Sequence, residues 1–352
     1  MPSDNTNRKS LRTRIVIMQT LFMGVVLLMS SCNLLQTEEQ VRMSAHSKGK
    51  GNTSGDAGSI STVSTTVPTY FAADMSGIIL TRRYASDGYD ISGTWDALKA
   101  VPGVASLYFN DIGRVPTYAL QEVRPDPTGN GRKTVWSQII ADDPNTSGTT
   151  RAQMSMRFAS GVNLGVYHTS HRMYIHPDFD FLKTYTLKKI DWSIIFEIWN
   201  EDGISKGIFP NGDVAGSCRW SFSIENAGTN KPWFWKIRGD YMQPEALKNK
   251  GFWIYTNTTT PIPIGKWFTL DVYLKRGDGT NGKMIIKITP DGGTTTTLFN
   301  ISNTTIYPGR PELNLYSWQP FKFYFNPIYL DYMKSKGKTL GVYYNDFTWY
   351  KE

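Results

Sequence analysis

The sequence predicts an antiparallel β-sandwich, and three observations carry that prediction. Short segments of alternating apolar and polar residues, bounded by Gly, Pro, Asn or Asp, recur from about residue 68 to the end, the patterning of half-buried strands. Helical patterning is confined to short stretches at 95–100, 178–185, 244–249 and 327–336. The clearest hairpin, KWFTLDVYLKRGDGTNGKMIIKIT, sends Phe268, Leu270, Val272 and Leu274 to one face and Trp267, Thr269, Asp271, Tyr273 and Lys275 to the other. One apolar and one polar-aromatic face is what a sheet covering a core on one side requires.

Residues 1–32 read as a processing segment. Arg8, Lys9, Arg12 and Arg14 form a basic region, 15–29 an apolar one, and Ser30-Ser31-Cys32 a small-residue site ending in cysteine. This order resembles a bacterial lipoprotein signal peptide, so Cys32 is expected to carry lipid. The alternatives are a plain secretory signal or a short anchor; an apolar run interrupted by Gln19 and Thr20 is a poor spanning helix. Asn33 rather than Asp follows the cysteine, so the expected address is the outer membrane or cell surface. Residues 33–67, rich in Ser, Thr and Gly, are expected to be a flexible tether. Residues 68–352 remain as one β-domain, without an internal repeat or second linker. With Cys32 lipidated, Cys218 has no partner, and the domain relies on its core rather than on disulfides.

The formal charge of +8 includes four basic residues and one acidic residue before position 33, and 8 − 3 leaves +5 for the rest. That balance suits an acidic polysaccharide and lacks the dense basic stripe of a nucleic-acid partner. The 11 Trp and 19 Tyr offer platforms for the apolar faces of sugars.

Strands are expected at 76–81, 118–123, 134–141, 152–158, 166–175, 191–200, 219–224, 233–238, 251–256, 266–275, 283–289, 322–325 and 339–349. In the stretch HRMYIHPDF…KKIDWSIIFEIWNE, alternation places Arg172, Tyr174 and His176 on one face. In the next strand it places Ile195, Glu197, Trp199 and Glu201 on one face and the core candidates Ile194, Phe196 and Ile198 on the other. Two carboxylates around an indole suit a sugar ligand. His171 falls on the face opposite His168 and His176, so these three cannot converge on zinc.

The segments GKWFTLDVYLKRGDGTNGKMIIKIT, DPTGNGRKTVW and LGVYYNDFTWY resemble the concanavalin A-like jelly rolls of heparin-lyase-like and laminarinase-like glycan-active lipoproteins of Bacteroidetes. The resemblance implies a concave sheet whose polar-aromatic face holds the glycan. Glu197 and Glu201 match the outer glutamates of the ExDxE hydrolase motif, with Trp199 where that pattern has Asp. Four strand residues place their Cα atoms about 13 Å apart, wide for a hydrolytic pair. Arg151-Ala-Gln153 is similar to the RxE element of alginate-lyase-like jelly rolls, with Gln for Glu; the QxH element is absent.

The expected ligand-binding set is therefore Trp199, Glu197, Glu201, Arg172, Tyr174, His176, Gln153 and Arg151. Under the alternative, a polysaccharide lyase or glycoside hydrolase, Glu197, Glu201, His176, Tyr174 and Arg172 are the catalytic candidates. No cofactor is required. Asn345-Asp346 resembles the acidic pair of carbohydrate modules, where Asp346 would help hold a structural calcium; the other reading is a bulge or turn. The expectation is a lipid-anchored surface protein that binds a polysaccharide within a glycan-utilisation system.

Overall fold

The computed structural model describes residues 69–73, 79–85, 88–94, 103–112, 119–141, 151–159, 162, 164–186, 189–200, 218–243, 248–306 and 315–350. The strands in chain order are β1 Thr69–Ala73, β2 Ile79–Ala85, β3 Gly88–Thr94, β4 Val104–Ile112, β5 Ala119–Pro125, β6 Lys133–Ile139, β7 Arg151–Phe158, β8 Val166–Ile175 and β9 Ile194–Asn200. They continue with β10 Cys218–Asn226, β11 Trp233–Gln243, β12 Lys248–Asn257, β13 Trp267–Lys275, β14 Lys283–Pro290, β15 Thr296–Ser302, β16 Leu315–Tyr324 and β17 Leu340–Tyr350.

Two antiparallel sheets form a sandwich. The front sheet has seven strands in the order β12-β11-β10-β9-β16-β7-β4. The back sheet has eight, β15-β14-β13-β8-β17-β6-β5, with β1 also paired to β17. Strands β2 and β3 form a separate hairpin. Because the chain crosses between the sheets at β4–β5, β6–β7, β7–β8, β8–β9, β12–β13, β15–β16 and β16–β17, the architecture is a concanavalin A-like jelly roll rather than two independent meanders.

Period-2 alternation explains the core. Phe268, Leu270, Val272 and Leu274 are wholly buried, and Ile195, Phe196 and Ile198 join the same core from the front sheet, whereas Ile194, expected in the core, is buried on the outer side opposite Ser223 and Tyr324. Few polar groups enter. Trp318 donates its indole N–H to Thr169 Oγ1 across the sandwich at 3.2 Å, and Tyr344 gives its hydroxyl to the Lys322 carbonyl at 2.7 Å. One polar residue that enters without a partner is His171, fully buried, ringed by Phe196, Phe321 and Tyr344, with neither ring nitrogen hydrogen-bonded.

Differences from the sequence reading have local causes. Ile195 was expected beside Glu197 on the polar face but is buried, because a bulge between Phe222 and Ser223 shifts the register of β9. Of the turn glycines after β13, Gly279 has φ +51, whereas Gly282 has φ −74. Glycine is needed at 282 for space, since a Cβ there would sit 2.2 Å from the Asn303 carbonyl. Strands β1, β3, β4 and β15 were not anticipated, and β12 begins at Lys248, inside the expected helix at 244–249. The helices at 178–185 and 327–336 exist as a 3₁₀ helix, Pro177–Thr184, and an α-helix, α1, Pro327–Ser335. Both begin with Pro, after His176 and Asn326 side chains that accept a backbone N–H. The helix expected at 95–100, Cys32 and Glu201 lie outside the described residues.

Candidate functional site

The residues expected to share one groove lie on opposite sides of the sandwich. In β8 the inward set is Tyr167, Thr169, His171, Met173 and Ile175, so Arg172 and Tyr174 point away from the core on the back sheet. In β9 Phe196 and Ile198 point inward, so Glu197 and Trp199 face outward from the front sheet. Arg172 with Tyr174, and Glu197 with Trp199, each share a face as alternation predicts. The shared groove does not form, because β8 and β9 belong to different sheets and their polar faces diverge.

On the front sheet, β16 and β10 flank β9 and supply partners for Glu197. One carboxylate oxygen accepts from Ser221 Oγ at 2.8 Å. The other accepts from Trp199 Nε1 at 2.7 Å and from Lys322 Nζ, which also donates to Gln319 Oε1 at 2.9 Å. Burial alone would raise the Glu197 pKa, but the charges of Lys322 and Arg219 and these hydrogen bonds bring it down to about 2. Burial is the main influence on Lys322 and pushes it down to about 8 against the pull of Glu197, with Arg151 and Arg219 adding to the fall. Glu197 is therefore ionised and saturated with donors, unsuited to act as a proton donor or nucleophile. Its cationic partner is Lys322.

Trp199 is likewise engaged. Its indole N–H is held by Glu197, and the Arg219 guanidinium lies 5.4 Å from its ring centre. Arg219 is flanked also by Trp192, at 5.4 Å, and makes a two-point contact with Asp240 at 2.7 and 3.2 Å. Arg238 shares that carboxylate at 2.8 Å and sits 5.3 Å from Trp192. Trp192 has φ +60, a strained value for a bulky residue. The strain places an indole over two arginines immediately before β9.

On the other side of Lys322, β7 carries Arg151 and Gln153 outward. Register sets Gln153 opposite Lys322 and Arg151 opposite Tyr324, whose ring lies 5.8 Å from the guanidinium. Gln153 is 5% exposed and its Oε1 has no hydrogen-bond partner; Arg151 Nε has none either. The front face thus joins four residues of the sequence-level set, Glu197, Trp199, Arg151 and Gln153, and adds Lys322, Arg219, Tyr324 and Trp192. The signal for two of these was present in FKFYF, where alternation sends Lys322 and Tyr324 away from three buried phenylalanines.

On the back sheet, Arg172 pairs with Asp291 and lies 3.8 Å from Asp346, while Tyr174 packs on Trp267 and Tyr343. His176 accepts the Asp178 N–H at Nδ1. Asp346, in a β17 bulge with φ +42, directs its carboxylate to Arg132 and Arg172. Among the described residues, no group of three or more His, Cys, Asp or Glu is placed to hold a metal ion.

No family model and no curated protein matches the sequence. Solved structures with similar architecture include an alginate lyase mutant in complex with alginate tetrasaccharide, at TM-score 0.41 and 12% identity, covering 81% of this chain and 98% of that one. They also include the marine alginate lyase of Aplysia kurodai, at TM-score 0.40 and 9% identity over 81% and 99% of the two chains. A third is the endo-β-1,4-glucuronan lyase of Trichoderma reesei, at TM-score 0.38 and 12% identity over 72% and 92%.

Proposed function

We propose that the protein binds an acidic polysaccharide on the outer face of the front sheet, and that a lipid on Cys32 holds it at the outer membrane or cell surface. The observation that carries the binding reading is the charge on that face. Arg219 and Arg238 share a single carboxylate, Asp240, and Arg151 stands beside the neutralised Lys322 and Glu197 pair with its Nε unpartnered. Among the described residues positive charge therefore exceeds negative on both sides of the pair, and indoles lie beside the first surplus. A polyanion with apolar ring faces matches this distribution.

Retention on immobilised polyuronates, sulfated glycans and neutral β-glucans tests it. Polyuronate retention that weakens as salt rises is expected, as is at least a tenfold loss in Arg151→Ala and Arg219→Ala. Retention of neutral polymers alone by this face, or unchanged polyuronate retention in both variants, overturns it.

One observation favours a second reading, β-elimination. Lys322, depressed to about 8, can lose a proton near neutral pH more readily than an ordinary lysine, and Tyr324 follows it two positions on along the same face. In that reaction Lys322 Nζ takes the proton α to the uronate carboxylate as the ring double bond forms. Arg151 and Gln153 steady the carboxylate, and the Tyr324 hydroxyl protonates the departing glycosidic oxygen. New absorbance from an unsaturated uronate, rising with pH through about 8 and abolished in Lys322→Met, would establish this reading. Its absence with intact retention leaves binding alone.

A further inference from the structure

The back sheet carries a second built surface, facing away from the first. A cross-strand row runs over its outer side in direct register: Trp136 opposite Tyr343, Tyr343 opposite Tyr174, and Tyr174 opposite Trp267. The rings touch in sequence, with centroids 4.3, 5.9 and 5.6 Å apart. At about 4.8 Å per strand, four rings reach roughly 14 Å across the sheet, perpendicular to the strands.

The two ends of the row are closed and its centre is open. Trp136 lies under Arg124, which is pinned by Glu122, and is 1% exposed. Trp267 lies under Arg172, which is pinned by Asp291, and is 4% exposed. Both indole N–H groups are occupied, by Gln138 and Asp126. Tyr174 and Tyr343 between them are partly exposed. Neither phenol hydroxyl makes a hydrogen bond among the described residues, in contrast to the hydroxyls of Tyr329 and Tyr344, which do. His176 lies 5.9 Å from Trp136 at the edge of the row. Because its Nδ1 accepts the Asp178 N–H, the neutral ring carries its proton on Nε2, which has no partner among the described residues.

We infer that this row is a second carbohydrate-binding surface, which takes an uncharged, hydroxyl-rich sugar chain against Tyr174 and Tyr343. Charge selects the ligand: each arginine on the row already faces a carboxylate, so no surplus cation awaits a polyanion, unlike the front face. Chemistry selects it too. Tyrosine rings meet the apolar faces of a sugar, while two phenol hydroxyls and an imidazole N–H are free to exchange hydrogen bonds with its hydroxyls. Two of these groups lie at the open centre of the row and the third at its edge, all within reach of one ligand. With the two faces on opposite sides of the sandwich, one molecule can hold two different polymers at once.

Affinity electrophoresis of the full chain, in native gels cast with mixed-linkage β-glucan, xylan or galactomannan, tests the inference. At least one of these neutral polymers should retard the protein, and Tyr174→Ala and Tyr343→Ala should each lower that affinity at least tenfold. Tyr174→Phe and Tyr343→Phe, which keep the ring and drop the hydroxyl, should each lose about threefold with an unchanged melting temperature. These variants decide the matter if the alanine variants fail to fold. No retardation by any neutral polymer of the panel, or wild-type mobility in the phenylalanine variants, overturns the inference. Polyuronate retention, read in parallel gels, reports the front face separately, so either reading can fail without the other.

Discussion

His171 is the residue whose chemistry the fold opposes most directly. It sits in the core without a hydrogen bond at either nitrogen, and burial lowers its pKa from 6.5 to about 3. The sign follows from linkage. Below pH 6.5 the unfolded chain binds a proton that the folded chain refuses, so stability falls by about 1.4 kcal/mol per pH unit until the folded ring itself titrates. Glu197 acts lower: its depressed pKa stabilises the fold above 4.5, and that contribution is lost as pH falls towards 2. His171→Phe should therefore flatten the decline between pH 6.5 and 4.5 in urea denaturation while leaving the fall below 4.5 in place. An unchanged slope in the upper window would mean that other groups carry the acid sensitivity. The sequence showed that His171 faces away from His168 and His176, because alternation needs only neighbours in the chain. It could not show Lys322 against Glu197, 125 residues apart, because that contact depends on which strands become neighbours.

At the scale of elements, legibility followed the strength of alternation. Strand β13 and its hairpin to β14 were readable to the residue, since WFTLDVYLK has an unbroken period of two. Strand β15, TTLFNIS, was missed because its own register shifts against β14, with Phe299 and Leu298 both buried. The pairing of β8 and β9 across one groove failed for a different reason: the 3₁₀ helix at Pro177–Thr184 carries the chain from one sheet to the other, and short helical links do not announce which sheet follows. The β6 to β17 contact offers a test of the aromatic row. A Cβ on Gly341 would lie 2.0 Å from the Trp136 ring, so Gly341→Ala must displace the indole that closes the row. We expect a loss of about 1 to 3 kcal/mol by overpacking, measured by thermal or chemical denaturation; a neutral result would show that Trp136 can tilt without loss.

For the whole molecule, the proposed anchor and the two faces define a geometry of use: a sandwich on a tether can present one side to one polymer and the other side to a second. Cys32→Ala should move the protein from the membrane to the soluble fraction on cell fractionation, and wild-type protein recovered without lipid would remove the anchor from the proposal. The position of β17 has a separate consequence. It lies inside the back sheet, bonded to β8 on one side and to β6 and β1 on the other, yet it follows every other described strand along the chain. Until it emerges from the ribosome, β8 and β6 have no strand between them, and the back sheet cannot close. Pairing of this kind, between residues far apart in sequence, makes folding slow. On the proposed export route that delay is useful: the chain stays pliable during synthesis and locks only when β17 arrives.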